Sequence, residues 1–75
     1  MKTRLRDLRE DFDLTQTKLS RILNVSQVAY SYYESGKRGI PNEILVSLAD
    51  YYNTSIDYIL YRTNNKNAYR ESVKN

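Results

Sequence analysis

Four side chains between positions 26 and 36 have the types and the spacing to contact the base edges of DNA. They share one face if this stretch is helical, and they are Gln27, Val28, Ser31 and Tyr32. This face carries no charge, although 28% of the chain is charged and solvent-facing helices normally carry charge. Amides and hydroxyls donate and accept hydrogen bonds, and valine offers methyl groups, which suits a DNA major groove. A merely polar surface helix accounts for the same stretch equally well.

The residues that flank this stretch predict where its helix begins and ends. Ser26 has the side chain of an N-cap, and Gly36 tolerates the positive φ that ends a helix. On the opposite face, helical spacing predicts that Ala29, Tyr30 and Tyr33 are buried. A buried phenol needs a hydrogen-bond partner, so we expect the Tyr30 hydroxyl at the edge of the core.

Another predicted helix comes just before this one in the chain and is joined to it by a short turn. Thr15 is its predicted N-cap, and Asn24 is suited to a left-handed turn conformation. Its predicted apolar stripe is Leu19, Ile22 and Leu23. Val25 is expected to be buried after the turn, and Ser20 is small enough for a close helix crossing. Two helices joined by about three residues have the spacing of a helix-turn-helix.

Three further helices complete the predicted architecture. The first covers residues near 2–12, and its apolar positions are Leu5, Leu8 and Phe12. The fourth starts near Pro41, with the apolar stripe Ile44, Leu45, Leu48, Ala49 and Tyr52. The fifth runs from Ile56 to about Tyr61 after the cap Ser55, and its inward positions are Ile56, Ile59 and Leu60. The remaining tyrosines, Tyr51, Tyr58 and Tyr61, are expected at the surface.

The composition excludes several classes of site. The chain has no Cys and no His, which removes disulfides, Cys/His zinc sites and histidine-dependent nucleophilic catalysis. It has no glycine-rich phosphate loop, and its carboxylates form no pair on an apolar wall, so we expect no enzyme. We likewise expect no cofactor, metal or small-molecule ligand. No apolar run approaches the ~18 residues of a membrane span, and the first residues do not resemble a signal peptide. These features indicate a cytoplasmic protein.

The charges are unevenly distributed along the chain. Residues 14–40 contain Lys18, Arg21, Lys37 and Arg38 against the single carboxylate of Glu34. Residues 41–60 contain three carboxylates and no cation. A fold that places residues 14–40 on one face would present positive charge to a polyanion such as DNA. Chance also produces such differences in short windows.

A series of motifs extends this pattern over most of the chain. In order, they are Leu14-Thr15-Gln16, Leu19-Ser20, Leu23-Asn24-Val25-Ser26-Gln27, Tyr33-Glu34-Ser35-Gly36-Lys37-Arg38, Pro41, Leu48-Ala49-Asp50-Tyr51-Tyr52-Asn53 and Ser55-Ile56-Asp57-Tyr58-Ile59-Leu60. From about Arg4 to Leu60 the chain resembles the lambda-repressor and Cro-like helix-turn-helix family, also called the Xre type. It departs from the family at Ser20, Asn24 and Tyr30, where members usually have Ala, Gly and an aliphatic residue.

The resemblance implies a fold and a function. It implies an all-α, compact five-helix lambda-repressor-like domain over residues 1–62, with the helix-turn-helix at about 16–35. Residues 63–75 would then be a polar tail, either mobile or a short helix. The family comprises bacterial and phage transcription regulators that bind double-stranded operator DNA, usually as homodimers. We therefore expect a sequence-specific regulator, most simply a repressor on an inverted-repeat operator.

The resemblance also implies roles for particular residues. The second helix of the chain, which is the first of the motif, packs across the DNA backbone, and the third helix of the chain enters the major groove. The base-reading candidates are Gln27, Val28, Ser31 and Tyr32, and Tyr32 is long enough to reach a base edge or a phosphate. The phosphate-binding candidates are Thr15, Gln16, Lys18, Ser26, Lys37, Arg38 and Asn42. Dimer contacts are expected at Tyr58 and Tyr61. Glu34 is expected to be structural, because phosphates would repel a carboxylate.

A second hypothesis comes from a different class of function. The chain could be a protein-interaction module that kept this fold and lost DNA recognition, since an uncharged helix face suits either role. Replacing Lys37 and Arg38 would separate the two hypotheses. DNA binding would weaken on all sequences and show a smaller salt dependence, whereas a protein contact need not respond.

Overall fold

Five α-helices and no strand make up residues 2–67, the part of the chain described by the computed structural model. The helices are α1 (Leu5–Asp11), α2 (Gln16–Leu23), α3 (Gln27–Ser35), α4 (Asn42–Tyr52) and α5 (Ile56–Ile59). The predicted all-α, five-helix architecture is confirmed. The short helix considered for the last residues of the tail lies outside the described residues. None of the five helices is long and apolar enough to span a bilayer.

Side-chain caps begin three of the helices. The Thr15 Oγ1 accepts a hydrogen bond from the Lys18 N–H, and the Ser26 Oγ accepts one from the Ala29 N–H, both at 3.0 Å. The Ser55 Oγ accepts from the Tyr58 N–H at 3.0 Å in the same way. Each cap satisfies one of the backbone donors that a helix start leaves free. The three predicted caps are confirmed.

Residues in the left-handed conformation end α2, α3 and α4, where the residue types predicted that these helices end. Asn24 follows α2 with φ 59°, Gly36 follows α3 with φ 83°, and Asn53 follows α4 with φ 53°. Asparagine and glycine tolerate this conformation better than other residues. The chain therefore reverses within three residues between α2 and α3, which sets their angle.

The hydrophobic core is built mainly from the predicted apolar positions. Its members are Leu5, Leu8, Leu14, Leu19, Leu23, Tyr30, Tyr33, Leu45, Leu48, Ala49, Tyr52 and Ile59. Val25, Ala29, Ile40, Ile44, Ile56, Tyr58 and Leu60 are half-buried against this core. Leu14, which the sequence indicated only as part of a link, is buried. The core therefore extends beneath the start of α2.

Two predicted core positions lie at the surface instead. Ile22 is 43% exposed, because α2 turns Leu19 and Leu23 fully inward and leaves Ile22 at the edge of the stripe. Phe12 is also 43% exposed, because it follows the last residue of α1 and no longer belongs to its buried stripe. Its ring packs on those of Tyr51 and Tyr52, with centroids 6.2 and 4.8 Å away.

The predicted bounds of α1 and α5 were too wide. α1 begins at Leu5 rather than near residue 2, and the Arg4 N–H just before it donates to the Ile59 carbonyl at 2.8 Å. α5 ends at Ile59 rather than near Tyr61, whose φ of 63° is incompatible with a continuing helix. The two ends of the described chain are therefore fastened to each other.

The prediction for the Tyr30 hydroxyl was wrong. Tyr30 is fully buried rather than placed at the edge of the core, and its hydroxyl makes no hydrogen bond among the described residues. Burial raises the pKa of Tyr30 far above the ordinary tyrosine value, and the neighbouring Glu34 carboxylate adds to this effect. The ring belongs to the hydrophobic core, and burying its hydroxyl without a hydrogen bond is unfavourable.

Candidate nucleic-acid interface

Hydrogen bonds at the turn between α2 and α3 fix the relative orientation of the two helices. The Val25 N–H donates to the Ser20 carbonyl at 2.9 Å across the turn. The Ser20 side chain is buried where the helices meet, and its hydroxyl donates to the Thr17 carbonyl at 2.7 Å. A hydroxyl is thus accommodated at this crossing because it has a local acceptor.

The uncharged face of α3 points outward, as its spacing predicted. Gln27 and Val28 are exposed, and Ser31 and Tyr32 are half-buried, whereas Tyr30 on the other face is buried. Val28 is 61% exposed, which makes it the most exposed of the large hydrophobic side chains described. The four base-reading candidates therefore lie together on one accessible helix face.

A buried ion pair fastens α3 to the helices before it. The Arg9 Nε donates to the Glu34 Oε2 at 2.7 Å, and the Arg9 Nη2 donates to the Glu34 Oε1 at 3.2 Å. The two side chains are only 14% and 8% exposed. The Arg9 Nη1 also donates to the Leu14 carbonyl at 2.8 Å, and the Gln16 Nε2 donates to the Glu34 Oε1 at 3.1 Å. This cluster joins α1, the following link, the start of α2 and α3, and it confirms a structural role for Glu34.

The charge state of this cluster follows from its contacts. Burial by itself would raise the pKa of the Glu34 carboxyl, but the hydrogen bonds from Arg9 and Gln16 and the positive charge of Arg9 outweigh it and lower the pKa. The hydrogen bond to Glu34 raises the pKa of Arg9. Both groups are therefore charged at neutral pH, and their charges cancel.

Gln16 lies where three helices border one shallow cavity. The cavity has a volume of about 220 Å³ and is lined by Arg6, Gln16, Ser31, Glu34 and Ser35. Arg6 belongs to α1, and the sequence contains no signal that places it beside Gln16. It is exposed and pairs with Glu10 at 3.1 Å. The structure thus adds a cation to the surroundings of two predicted DNA-contacting residues.

The two cations after α3 lie against the last turn of the helix. The positive φ of Gly36 turns the chain back, and the Arg38 N–H donates to the Tyr32 carbonyl at 3.4 Å. The Lys37 Nζ then lies 5.4 Å from the centroid of the Tyr32 ring, and the Arg38 Cζ lies 5.3 Å from it. Both distances are within the range of cation–π attraction.

The other phosphate-binding candidates are placed at helix starts. Thr15 and Ser26 use their hydroxyls as caps, and Lys18 is exposed in the first turn of α2. Asn42 is exposed as the first residue of α4, which has no side-chain cap. Uncapped backbone N–H groups at a helix start are suited to an anion.

The tyrosines predicted to form dimer contacts are held by the chain's own N-terminal segment. The Arg4 guanidinium lies 4.2 Å from the centroid of the Tyr58 ring and 4.0 Å from that of Tyr61. The Arg4 Nε donates to the Tyr58 carbonyl at 2.8 Å, and its Nη2 donates to the Thr63 carbonyl and the Asn64 Oδ1, each at 3.1 Å. Tyr58 is half-buried and Tyr61 is 40% exposed. The two rings therefore form one surface, to which Arg4 contributes.

Comparison with known proteins agrees with this arrangement. The helix-turn-helix family matches residues 5–59. The chain is 39% identical over 57 residues to the uncharacterized HTH-type transcriptional regulator YobD of Bacillus subtilis (strain 168), covering 76% of this chain and 51% of that protein. It is 27% identical over 70 residues to the uncharacterized HTH-type transcriptional regulator YqaE of the same strain, covering 93% and 60% of the two chains.

The chain thus spans about half to three fifths of the length of these curated relatives, and no solved structure matches it. The family match covers α1 to α5, including the α2–turn–α3 unit with its two caps and two left-handed turns. The chain belongs to the lambda-repressor and Cro-like, or Xre-type, helix-turn-helix family of DNA-binding transcription regulators.

Proposed function

We propose that this chain is a sequence-specific regulator, most simply a repressor, that binds an inverted-repeat operator in double-stranded DNA as a homodimer. The observation that carries the proposal is the uncharged, outward face of α3, which is followed directly by two exposed cations. An uncharged polar face suits base edges, and cations beside it suit the phosphates on either side of a groove.

Base reading is assigned to the exposed face of α3. Gln27 lies in the first turn of the helix, where its amide can make the two-bond pairing with adenine. Val28 offers methyl groups to a thymine methyl, and Ser31 lies one turn further on. Tyr32 lies beside Ser31 on this face, next to the cations Lys37 and Arg38. Within residues 2–67, Gln27, Val28 and Ser31 have no side-chain hydrogen bond, ion pair or ring contact that would compete with a base.

Phosphate binding is assigned to two sides of this face. On one side, Thr15, Gln16 and Lys18 lie at the start of α2, and Ser26 lies at the start of α3. On the other side are Lys37, Arg38 and the uncapped start of α4 at Asn42. Residues 2–67 contain no ion pair that involves Lys37 or Arg38, so their charge is not neutralised by a carboxylate. These contacts would orient α3 without selecting sequence.

Dimerisation is assigned to Tyr58 and Tyr61. Two copies on a two-fold symmetric site would double the number of bases read, with half-sites about one DNA turn apart. The rings are held in place by Arg4 and remain partly accessible. The DNA-binding domain would comprise residues 1–62 and act in the cytoplasm, with the polar residues 63–75 as a tail.

Selection of bound duplexes from a random DNA pool at near-physiological salt tests the proposal. Enrichment of an inverted repeat is the expected result, and light scattering should then show two chains per enriched duplex. The Lys37→Met/Arg38→Met double variant is the control, and it should lose affinity for enriched and random duplexes alike. Weak binding with no enriched sequence would contradict the proposal and favour a protein partner for the α3 face.

A further inference from the structure

The Tyr32 ring and the two cations after α3 form a cluster that base reading does not use. Its members lie within seven residues of one another, and Gly36 brings them together. The Lys37 Nζ and the Arg38 Cζ lie 5.4 and 5.3 Å from one ring centroid. Tyr32 is half-buried, whereas both cations are exposed. The ring is therefore the fixed partner, and the two long side chains rest against it.

The backbone around this cluster is held by several hydrogen bonds. The Arg38 N–H and the Ser35 Oγ both donate to the Tyr32 carbonyl, at 3.4 and 3.3 Å. The Lys37 N–H donates to the Ser35 Oγ at 3.4 Å. These bonds return the chain over the last turn of α3. The side chains of Lys37 and Arg38 consequently start from defined positions beside the ring.

Stacking on an aromatic ring leaves a cation able to bind phosphate. A guanidinium that lies over a ring keeps its N–H groups directed outward in its own plane. An ammonium has three donors and directs only part of them at the ring. Long side chains lose rotamer freedom when they bind, and a ring that already orders them reduces that loss.

We propose that Tyr32 is a positioning residue, whose ring face holds Lys37 and Arg38 in place for DNA phosphates. This inference rests on the proposed function and replaces a base contact by Tyr32 with an indirect role. According to this inference, full affinity for DNA requires the face of the Tyr32 ring and does not require its hydroxyl. The contribution should also be the same for every DNA sequence, because phosphates carry no sequence information.

Three substitutions separate the ring face from the hydroxyl. Tyr32→Leu should weaken binding to the enriched operator and to a scrambled duplex by the same factor, about fivefold or more, because two long side chains must then be ordered when DNA binds. Tyr32→Phe should bind like the parent chain. Tyr51→Leu is the matched control, because Tyr51 is an exposed tyrosine that packs on Phe12 and Tyr52 rather than on a cation.

A double-mutant cycle tests whether Tyr32 acts through the two cations. In a Lys37→Met/Arg38→Met background, Tyr32→Leu should change the affinity less than twofold. In the free protein, NMR should show ring-current upfield shifts on the Arg38 and Lys37 side-chain protons. Tyr32→Phe should keep these shifts and Tyr32→Leu should remove them, while far-UV circular dichroism confirms that each variant is folded.

Several results would overturn the inference. A loss of discrimination at one base pair in both Tyr32 variants would show that the hydroxyl reads a base. Tighter binding by Tyr32→Leu, or shifts that vanish when DNA binds, would show that the ring competes with phosphate for the cations. These outcomes leave the proposed function intact, whereas an absence of any enriched duplex for the parent chain would remove both.

Discussion

Two arginines near the last turn of α3 are held in opposite ways. The Arg9 guanidinium lies buried against the Glu34 carboxylate at 2.7 Å, whereas the Arg38 guanidinium is exposed and lies over the Tyr32 ring at 5.3 Å. A carboxylate neutralises its partner, but an aromatic ring orders a cation without cancelling its charge. The first arginine therefore holds the helices together, and the second keeps a full positive charge at the surface.

The comparison predicts that breaking the buried pair has the largest effect on stability. Glu34→Ala leaves the largely buried Arg9 charge without a counter-charge, and we expect the free energy of unfolding to fall by about 3 kcal/mol. Urea unfolding followed by circular dichroism measures this change. Glu10→Ala is the matched control, because the Arg6–Glu10 pair is solvent-exposed and exposed pairs contribute under about 1 kcal/mol. Equal losses of unfolding free energy in Glu34→Ala and Glu10→Ala would show that the Arg9–Glu34 pair stabilises the fold no more than an exposed pair does.

Discrimination between base pairs should depend on Gln27 and not on Arg9 or Arg38. We expect Gln27→Ala to lower the preference for one base pair of each half-site by about 1–3 kcal/mol, because a bidentate amide contact is lost. The salt dependence of binding should stay unchanged, since no phosphate contact is removed. Competition binding against single-base operator variants measures both. An unchanged preference at every position would show that Gln27 does not read bases.

Arg38 should be dispensable for folding and needed for affinity. Arg38→Met is expected to leave the free energy of unfolding within about 0.5 kcal/mol. It should weaken binding about tenfold on all duplexes and reduce the slope of log affinity against log salt by roughly one. Arg9→Met provides the contrast, because it should destabilise the fold. A stability loss in Arg38→Met as large as that in Arg9→Met would contradict the comparison.

The smallest expected effect is the pH dependence of the buried pair. The pKa of Glu34 is lower in the folded state than its ordinary value, so folding favours the ionised carboxylate. Its contribution to stability is therefore complete above the ordinary Glu pKa of about 4.3 and is lost as the pH falls through the lower, folded-state pKa. Urea unfolding between pH 3 and pH 7 should show a shallower acid loss for Glu34→Gln than for the parent chain. Parallel curves would show that other carboxylates account for the acid loss.

The local signals in the sequence were sufficient for the starts of α2, α3 and α5, for the ends of α2 and α3, and for the outward face of α3. The caps at Thr15, Ser26 and Ser55 and the left-handed turns at Asn24 and Gly36 appear where the residue types predicted them. An N-cap hydrogen bond spans three residues, and a helix face repeats every three or four. Such features depend on neighbours in the chain, so the sequence alone determines them.

Positions at the edges of helical faces could not be predicted in this way. Ile22 and Phe12 have apolar side chains at helical spacing, yet both are 43% exposed. The width of a buried stripe depends on which helices cover it and at what angle. Tyr30 is fully buried with an unsatisfied hydroxyl for the same reason, because the helices packed around it determine how much of its side chain is covered.

Tertiary structure alone decided which cations are neutralised. Arg9 and Glu34 are 25 residues apart, and Arg4 contacts the Tyr58 carbonyl across 54 residues. Arg6 and Arg9 are both cations of α1, and no local pattern in the sequence distinguishes the two. Helix packing brings Arg9 to a largely buried carboxylate, whereas within residues 2–67 no carboxylate pairs with Lys37 or Arg38. Long-range pairing of this kind follows from the arrangement of helices rather than from spacing along the chain.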